Sequence, residues 1–142
     1  MRQNYDEDVA AWAQEQAQLL RSGKWLQLDV EHLAEEIEDV GKSERRALAH
    51  RLAVLLEHLY KWQKQPERQG KSWLTTIRVQ RLQVLALLDK APSLKDLAGQ
   101  PEFWLGVWHD AVLLLVRETE LDAIPAECPW TLEQVLAPDW LP

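Results

Sequence analysis

LAHRLAVLLEHLYKWQKQPERQGKSWLTTIRVQR, residues 48–81, holds two runs of apolar residues at helical spacing, one on either side of a segment containing Pro66 and Gly70. Leu48, Leu52, Leu55, Leu59 and Trp62 step by four, three, four and three, which keeps them on one helix face. That face is expected to be buried. At about 100° per residue, Trp73, Leu74, Ile77, Val84 and Leu88 share one arc of a second helix. A connection of about six residues makes the two helices antiparallel neighbours. Pro66 ends the first, because proline has no amide proton for the ladder and excludes helix at the residue before it. Ser72 is the expected N-cap of the second.

Polar residues interrupt both apolar arcs. Glu44, Arg51 and His58 fall on or beside the first, and Gln80 and Arg81 fall inside the second. A buried polar group without a partner costs about 1–3 kcal/mol, so these five are candidates for one internal network, with Arg81 level with Leu55 and His58. The alternative gives Arg81 a packed stem with its head at the rim, and makes His58 a satisfied core histidine.

Outward from this hairpin, Asn4 and Glu7 suggest a capping box. Val9, Trp12, Ala13, Ala17 and Leu20 form the face of a first helix that stops at Gly23. The link KWLQL reads as a turn tucking Trp25 and Leu28 beneath the fold. Asp29 is the next N-cap, with Leu28 and Leu33 as its hydrophobic staple. Val30, Leu33, Ala34, Ile37 and Val40 then form an inner face. The opposite face, Glu31, Glu35, Glu36, Glu38 and Asp39 with His32, reads as solvated. His32 and Glu36 stand one turn apart, as metal ligands do, but no second element converges on them and no metal is expected. Gly41 and Ser43 leave two readings open, a helix end or a kink, since the step of eleven from Ile37 to Leu48 keeps helical phase.

Downstream, Pro92 ends the second hairpin helix, and Ser93 with Asp96 is expected to cap a short turn, SLKDLAG. Pro101 opens a last long helix with Trp104, Trp108, Ala111, Val112 and Leu115 on one face. Residues 122–142 hold four prolines, a capping box from Thr131 to Gln134, and Trp130, Leu132, Leu136 and Trp140 as anchors. The expectation is an all-α, single-domain helical bundle of about five helices over residues 1–121, with a central antiparallel hairpin and a Pro-rich C-terminal tail packed on it. A chain of 142 residues buries roughly two-thirds of its unfolded surface.

The runs LAEEIEDVGKSERRAL (33–48), HLYKWQKQPERQGKSWLTTIRVQR (58–81) and PAECPWTLEQVL (125–136) resemble the bacterial family catalogued as domain of unknown function twenty-nine. The likeness runs from about Tyr5 to the end. It implies a compact helical domain and brings no catalytic residue with it.

Composition narrows the function classes. The single Cys128 excludes an intrachain disulfide and a paired-cysteine zinc site, which points to a reducing cytoplasm. Pro129 and Glu127 around it do not favour a reactive thiolate. No apolar run reaches the roughly 20 residues of a membrane span, and MRQNYDEDV is too acidic for a signal peptide. Eight tryptophans against one phenylalanine place several large rings, each with an N–H to satisfy, at core edges or in a groove. The sequence lacks a Glu-x-x-His pair, a His-Glu-x-x-His motif, a phosphate loop and a nucleophile elbow. His32, His50, His58 and His109 do not share one predicted face. No cofactor is called for.

Charge is uneven on a net of −7: residues 29–44 carry seven acids against one lysine, and residues 61–81 six basic residues against Glu67 alone. Three readings follow. The favoured one is a non-enzymatic interaction or regulatory module that binds a protein partner or a second copy through Lys61, Trp62, Lys64, Arg68, Lys71, Trp73 and Arg78. The second is an enzyme or a metal- or anion-binding protein using His58, Glu44, Arg51 and Arg81. The third is a nucleic-acid binder on the same basic segment, against which the acidic remainder weighs.

Overall fold

The structure is a computed structural model that describes residues 4–142. Six α-helices are present among the described residues and no strand: α1 (Val9–Arg21), α2 (Val30–Lys64), α3 (Lys71–Lys90), α4 (Ser93–Ala98), α5 (Pro101–Glu118) and α6 (Leu132–Leu136). Short 3-10 turns at Trp25–Gln27 and Pro66–Arg68 precede α2 and α3. Among the described residues no helix is long and apolar enough to cross a membrane. Internal contacts gather the chain into two compact units, residues 1–43 and 44–142. The boundary falls inside α2, which runs 35 residues without a break. Gly41 therefore neither ends nor divides it; one mid-helix glycine costs about 1 kcal/mol, too little to interrupt a ladder of that length.

In the C-terminal unit the hairpin is antiparallel. Lys61 lies over the Trp73 ring, 5.2 Å from its centroid, and Lys90 reaches Glu44 at 3.7 Å, so one helix recedes by seventeen positions as the other advances by seventeen. Pro66 follows the end of α2 as expected. The cap of α3 is Gly70 and not Ser72, and no side chain caps it; Ser72 sits inside the first turn, where its carbonyl accepts from the Thr76 hydroxyl. Ser93 likewise lies within α4, whose cap is Pro92.

The core joins Leu48, Leu52, Leu55, Leu56, Leu59 and Tyr60 of α2 to Ile77, Val84 and Leu88 of α3, Leu94 of α4, Val107, Trp108, Ala111 and Leu115 of α5, and Trp130 and Val135 beyond. The expectation that Trp62 belongs to it is corrected: Trp62 is only half-buried. Because α2 is covered on two sides, its buried arc swings toward Ala53, Leu56 and Tyr60, which leaves Trp62 at the margin. Trp62→Ala should therefore cost at most about 1 kcal/mol, within the range of mutations outside a packed core. Chemical denaturation checks this, and a loss as large as that of a core tryptophan would contradict it.

Residues after α5 pack back on the same core through Leu121, Ile124, Leu132, Leu136, Trp140 and Leu141. Thr131 and Gln134 form the expected capping box at α6. Indoles find carbonyls here: buried Trp108 donates from Nε1 to Pro125 at 2.9 Å, and half-buried Trp104 donates from Nε1 to Trp130 at 3.3 Å. Tyr60, Trp108, Trp130 and Trp140 follow one another, mostly edge to face, with centroids 5.8–6.4 Å apart.

The N-terminal unit departs most from expectation. The cap of α1 is Asp8, whose carboxylate accepts from the Ala11 amide, while Asn4 closes the preceding turn by accepting from Asp6. Gly23 stops α1 in the left-handed region at φ 73°, where glycine carries no steric penalty. Trp25 is not tucked under but exposed. The polar side of α2 is the packed one here: Asp29, His32 and Glu36 meet Trp12 and Tyr5, while Val30, Ile37 and Val40 stay exposed. Hydrogen bonds and ring contacts thus decide this packing instead of the aliphatic stripe.

Candidate functional site

The outer side of α3 carries a second stripe of its own. At about 100° per residue Lys71, Arg78, Leu82 and Leu85 fall within one narrow arc, beside the arc of Ile77, Val84 and Leu88 that enters the core. All four are exposed, Leu82 by 67 %. Arg78, Leu82 and Leu85 form one wall of a groove of about 270 Å³ whose other wall is Leu136, Pro138 and Asp139. Its lining is mainly aliphatic. Lys71 and Arg78 have no acidic partner among the described residues, so their charges face outward uncompensated.

Arg81 holds the far wall in place. It is 6 % exposed, its Nε donates to the Val135 carbonyl at 2.8 Å, and its Nη2 donates to Trp140. Burial pushes the guanidinium down from its usual value and Asp139 pulls it back. Arg81 therefore ties α3 to the chain that follows α5, and its role in the groove is positional.

The five candidate network residues are not brought into one network. Glu44 pairs with Lys90. His58 Nδ1 donates to the Val54 carbonyl at 2.8 Å and lies 3.3 Å from Glu57 Oε1. Gln80 is half-buried with its Oε1 unpartnered, Arg51 is half-buried, and Arg81 serves the tail. Of the basic segment, Lys64, Arg68, Lys71 and Arg78 are exposed and Trp62 and Trp73 half-buried. Arg68 lines a separate polar cavity of about 550 Å³ with Arg117 and Glu118.

Lys61 is the exception, 8 % exposed. Its ammonium lies 3.6 Å from Glu57 Oε2 and 3.4 Å from Glu118 Oε2, with Trp73 beneath. Glu57, 2 % exposed, was not anticipated. It sits opposite the apolar stripe on the helix wheel, on the side where Lys61 reaches Glu118 of α5. Burial opposes its charge, but hydrogen bonds to His58 and Glu118 and the Lys61 charge hold its carboxyl below the usual value. The hydrogen bond to Glu57 pushes the Glu118 carboxyl up from its usual value. No group of three or more His, Cys, Asp or Glu is gathered for a metal among the described residues.

The N-terminal unit has its own polar centre. Asp29 Oδ2 accepts from Trp12 Nε1 at 2.9 Å and from His32 Nδ1 at 2.7 Å, and Gln16 Oε1 accepts from the Asp29 amide at 2.8 Å. Tyr5 stacks on the His32 ring at 4.0 Å, and its hydroxyl bonds Glu36, which together with burial pushes the phenol up to about 12. Asp29 raises the His32 pKa above 6.5. A histidine raised on folding stabilises below its unfolded pKa, and that contribution is lost as pH rises through the folded value. His32→Gln should thus destabilise α1 at pH 5.5 more than at pH 8.5, read by amide exchange. An equal loss at both pH values would contradict this.

A family model described as Domain of unknown function DUF29 matches residues 4–141. No curated protein and no solved structure matches the chain.

Proposed function

The chain belongs to the DUF29 family, and on that footing we propose that it is a non-enzymatic helical interaction module whose α3 groove receives an amphipathic, acidic helix of a protein partner. The observation that carries this reading is the uncovered stripe Lys71, Arg78, Leu82 and Leu85 on a helix whose other side is core. Aliphatic side chains left in water beside a shallow apolar groove are a feature of docking surfaces. A helix laid in such a groove buries one apolar face, and free cations at its edge select for carboxylates. The lone Cys128, half-buried with its thiol pushed up by burial, suits a module working in the reducing cytoplasm.

A methyl and amide NMR titration tests the reading, with a synthetic amphipathic helical peptide carrying leucines on one face and glutamates at its edges. Shifts should concentrate at Leu82, Leu85 and Leu136, and Arg78→Glu should weaken binding. Shifts spread evenly over the surface, or equal binding of a lysine-edged peptide, would overturn it.

A further inference from the structure

We propose that the outer side of α3 and its groove receive residues 25–38 of a second copy of this chain, with the exposed Trp25 and Leu26 entering the groove and the first turns of α2 lying along Arg78 and Lys71, a partner assignment that rests on the groove reading above. Each surface is incomplete in its own unit. On α2, Val30 and Ile37 lie exposed by 66 % and 70 %, and Val40 beside them is open as well. At about 100° per residue Glu31 and Glu38 fall together along one edge of this stripe, and both are exposed without an ionic partner among the described residues. The segment is thus an amphipathic helix with an aliphatic face and an acidic margin, the chemistry that the groove selects.

The spacing agrees as well as the sign. Glu31 and Glu38 are seven residues apart, as are Lys71 and Arg78, which at 1.5 Å per residue sets both pairs about 10.5 Å apart along their helices. With the two helices antiparallel, Arg78 meets Glu31 and Lys71 meets Glu38. Leu82 and Leu85 then extend past Glu31 toward Leu26 and Trp25, which are themselves exposed by 103 % and 61 %. Val79 comes level with Val30. Val30 and Glu31 also border an open cavity of about 550 Å³ with Leu28 and His32, which leaves room for a long cationic side chain to reach Glu31. Residues 1–43 carry ten acids against four basic residues and residues 44–142 are close to balance, thirteen against twelve, so contact between unlike units of two copies is favoured over contact between two N-terminal units.

The test uses the full chain in sedimentation equilibrium over a range of concentrations and at two salt concentrations. Wild type should self-associate, less so at high salt. Lys71→Glu/Arg78→Glu and Glu31→Lys/Glu38→Lys should each weaken self-association on the order of 100-fold, since each sets like charges face to face. All four residues are exposed, so both variants should fold, which circular dichroism checks. Mixing the two variants should restore association, because the acidic α2 of the first then meets the wild-type α3 of the second, and the reversed pair also matches. Wild type that stays monomeric, double variants that associate like wild type, or a mixture that remains monomeric overturns the proposal. The acidic peptide separates the two levels: binding at α3 by a chain that stays monomeric overturns the second copy as partner and leaves the groove reading standing, and absence of both overturns both.

Discussion

Trp108→Ala should lower the unfolding free energy of the C-terminal unit by about 3–5 kcal/mol. Trp108 is fully buried, so truncation removes the indole from an interior that cannot collapse to fill the gap. It also leaves the Pro125 carbonyl without the donor that stood at 2.9 Å, and it takes away the ring against which Tyr60 and Trp130 both pack. All three losses have one sign. Chemical denaturation followed by far-UV circular dichroism measures the effect, with exposed Trp25→Ala as a control expected to stay within about 0.5 kcal/mol. Similar losses for the two variants would mean that the core is placed wrongly.

Lys61→Met is expected to cost about 3–5 kcal/mol at neutral pH, the range for removing one partner of a buried ion pair. Methionine fills most of the lysine stem's volume, so packing over Trp73 is largely kept and the loss reports the stranded Glu57 charge. That carboxyl, now without the ammonium, loses one of the groups that hold it below its usual value. A carboxylate lowered on folding stabilises above its unfolded pKa and loses that contribution as pH falls, so the deficit relative to wild type should shrink as pH falls toward 5. Glu57→Gln added to Lys61→Met should recover much of the loss, because no buried charge remains. Melts across pH for the single and double variants check both statements, and a deficit that is independent of pH would contradict this account of the pair.

The hairpin was legible because its signals are local: Pro66, the three-and-four spacing of α2 and the arc of α3 depend on neighbours in sequence. The α6 capping box and the stop at Gly23 were legible for the same reason. What escaped depends on a second element. Lys61 read as part of an interaction surface, and only its contacts with Glu57 and Glu118 place it in the interior; Glu57 drew no reading at all, and Trp62 read as core until the buried arc of α2 swung away from it. In the N-terminal unit the aliphatic stripe Val30, Ile37 and Val40 outweighs the polar side in any periodicity argument. The packing instead follows the Asp29 carboxylate, which gathers the Trp12 and His32 donors at an angle no helix wheel encodes. The groove on α3 was half legible: its cations stood out in the basic segment, but Leu82 and Leu85 became informative only when found uncovered.

The most direct trial of the account is the double variant Leu82→Ser/Leu85→Ser, measured for melting temperature and for affinity toward the acidic amphipathic peptide. Both leucines are exposed, so folding should lose no more than about 1 kcal/mol, chiefly through helix propensity, while peptide binding disappears. A large fall in melting temperature, or a stable variant that binds the peptide as the wild type does, would show that the outer side of α3 is not a docking surface.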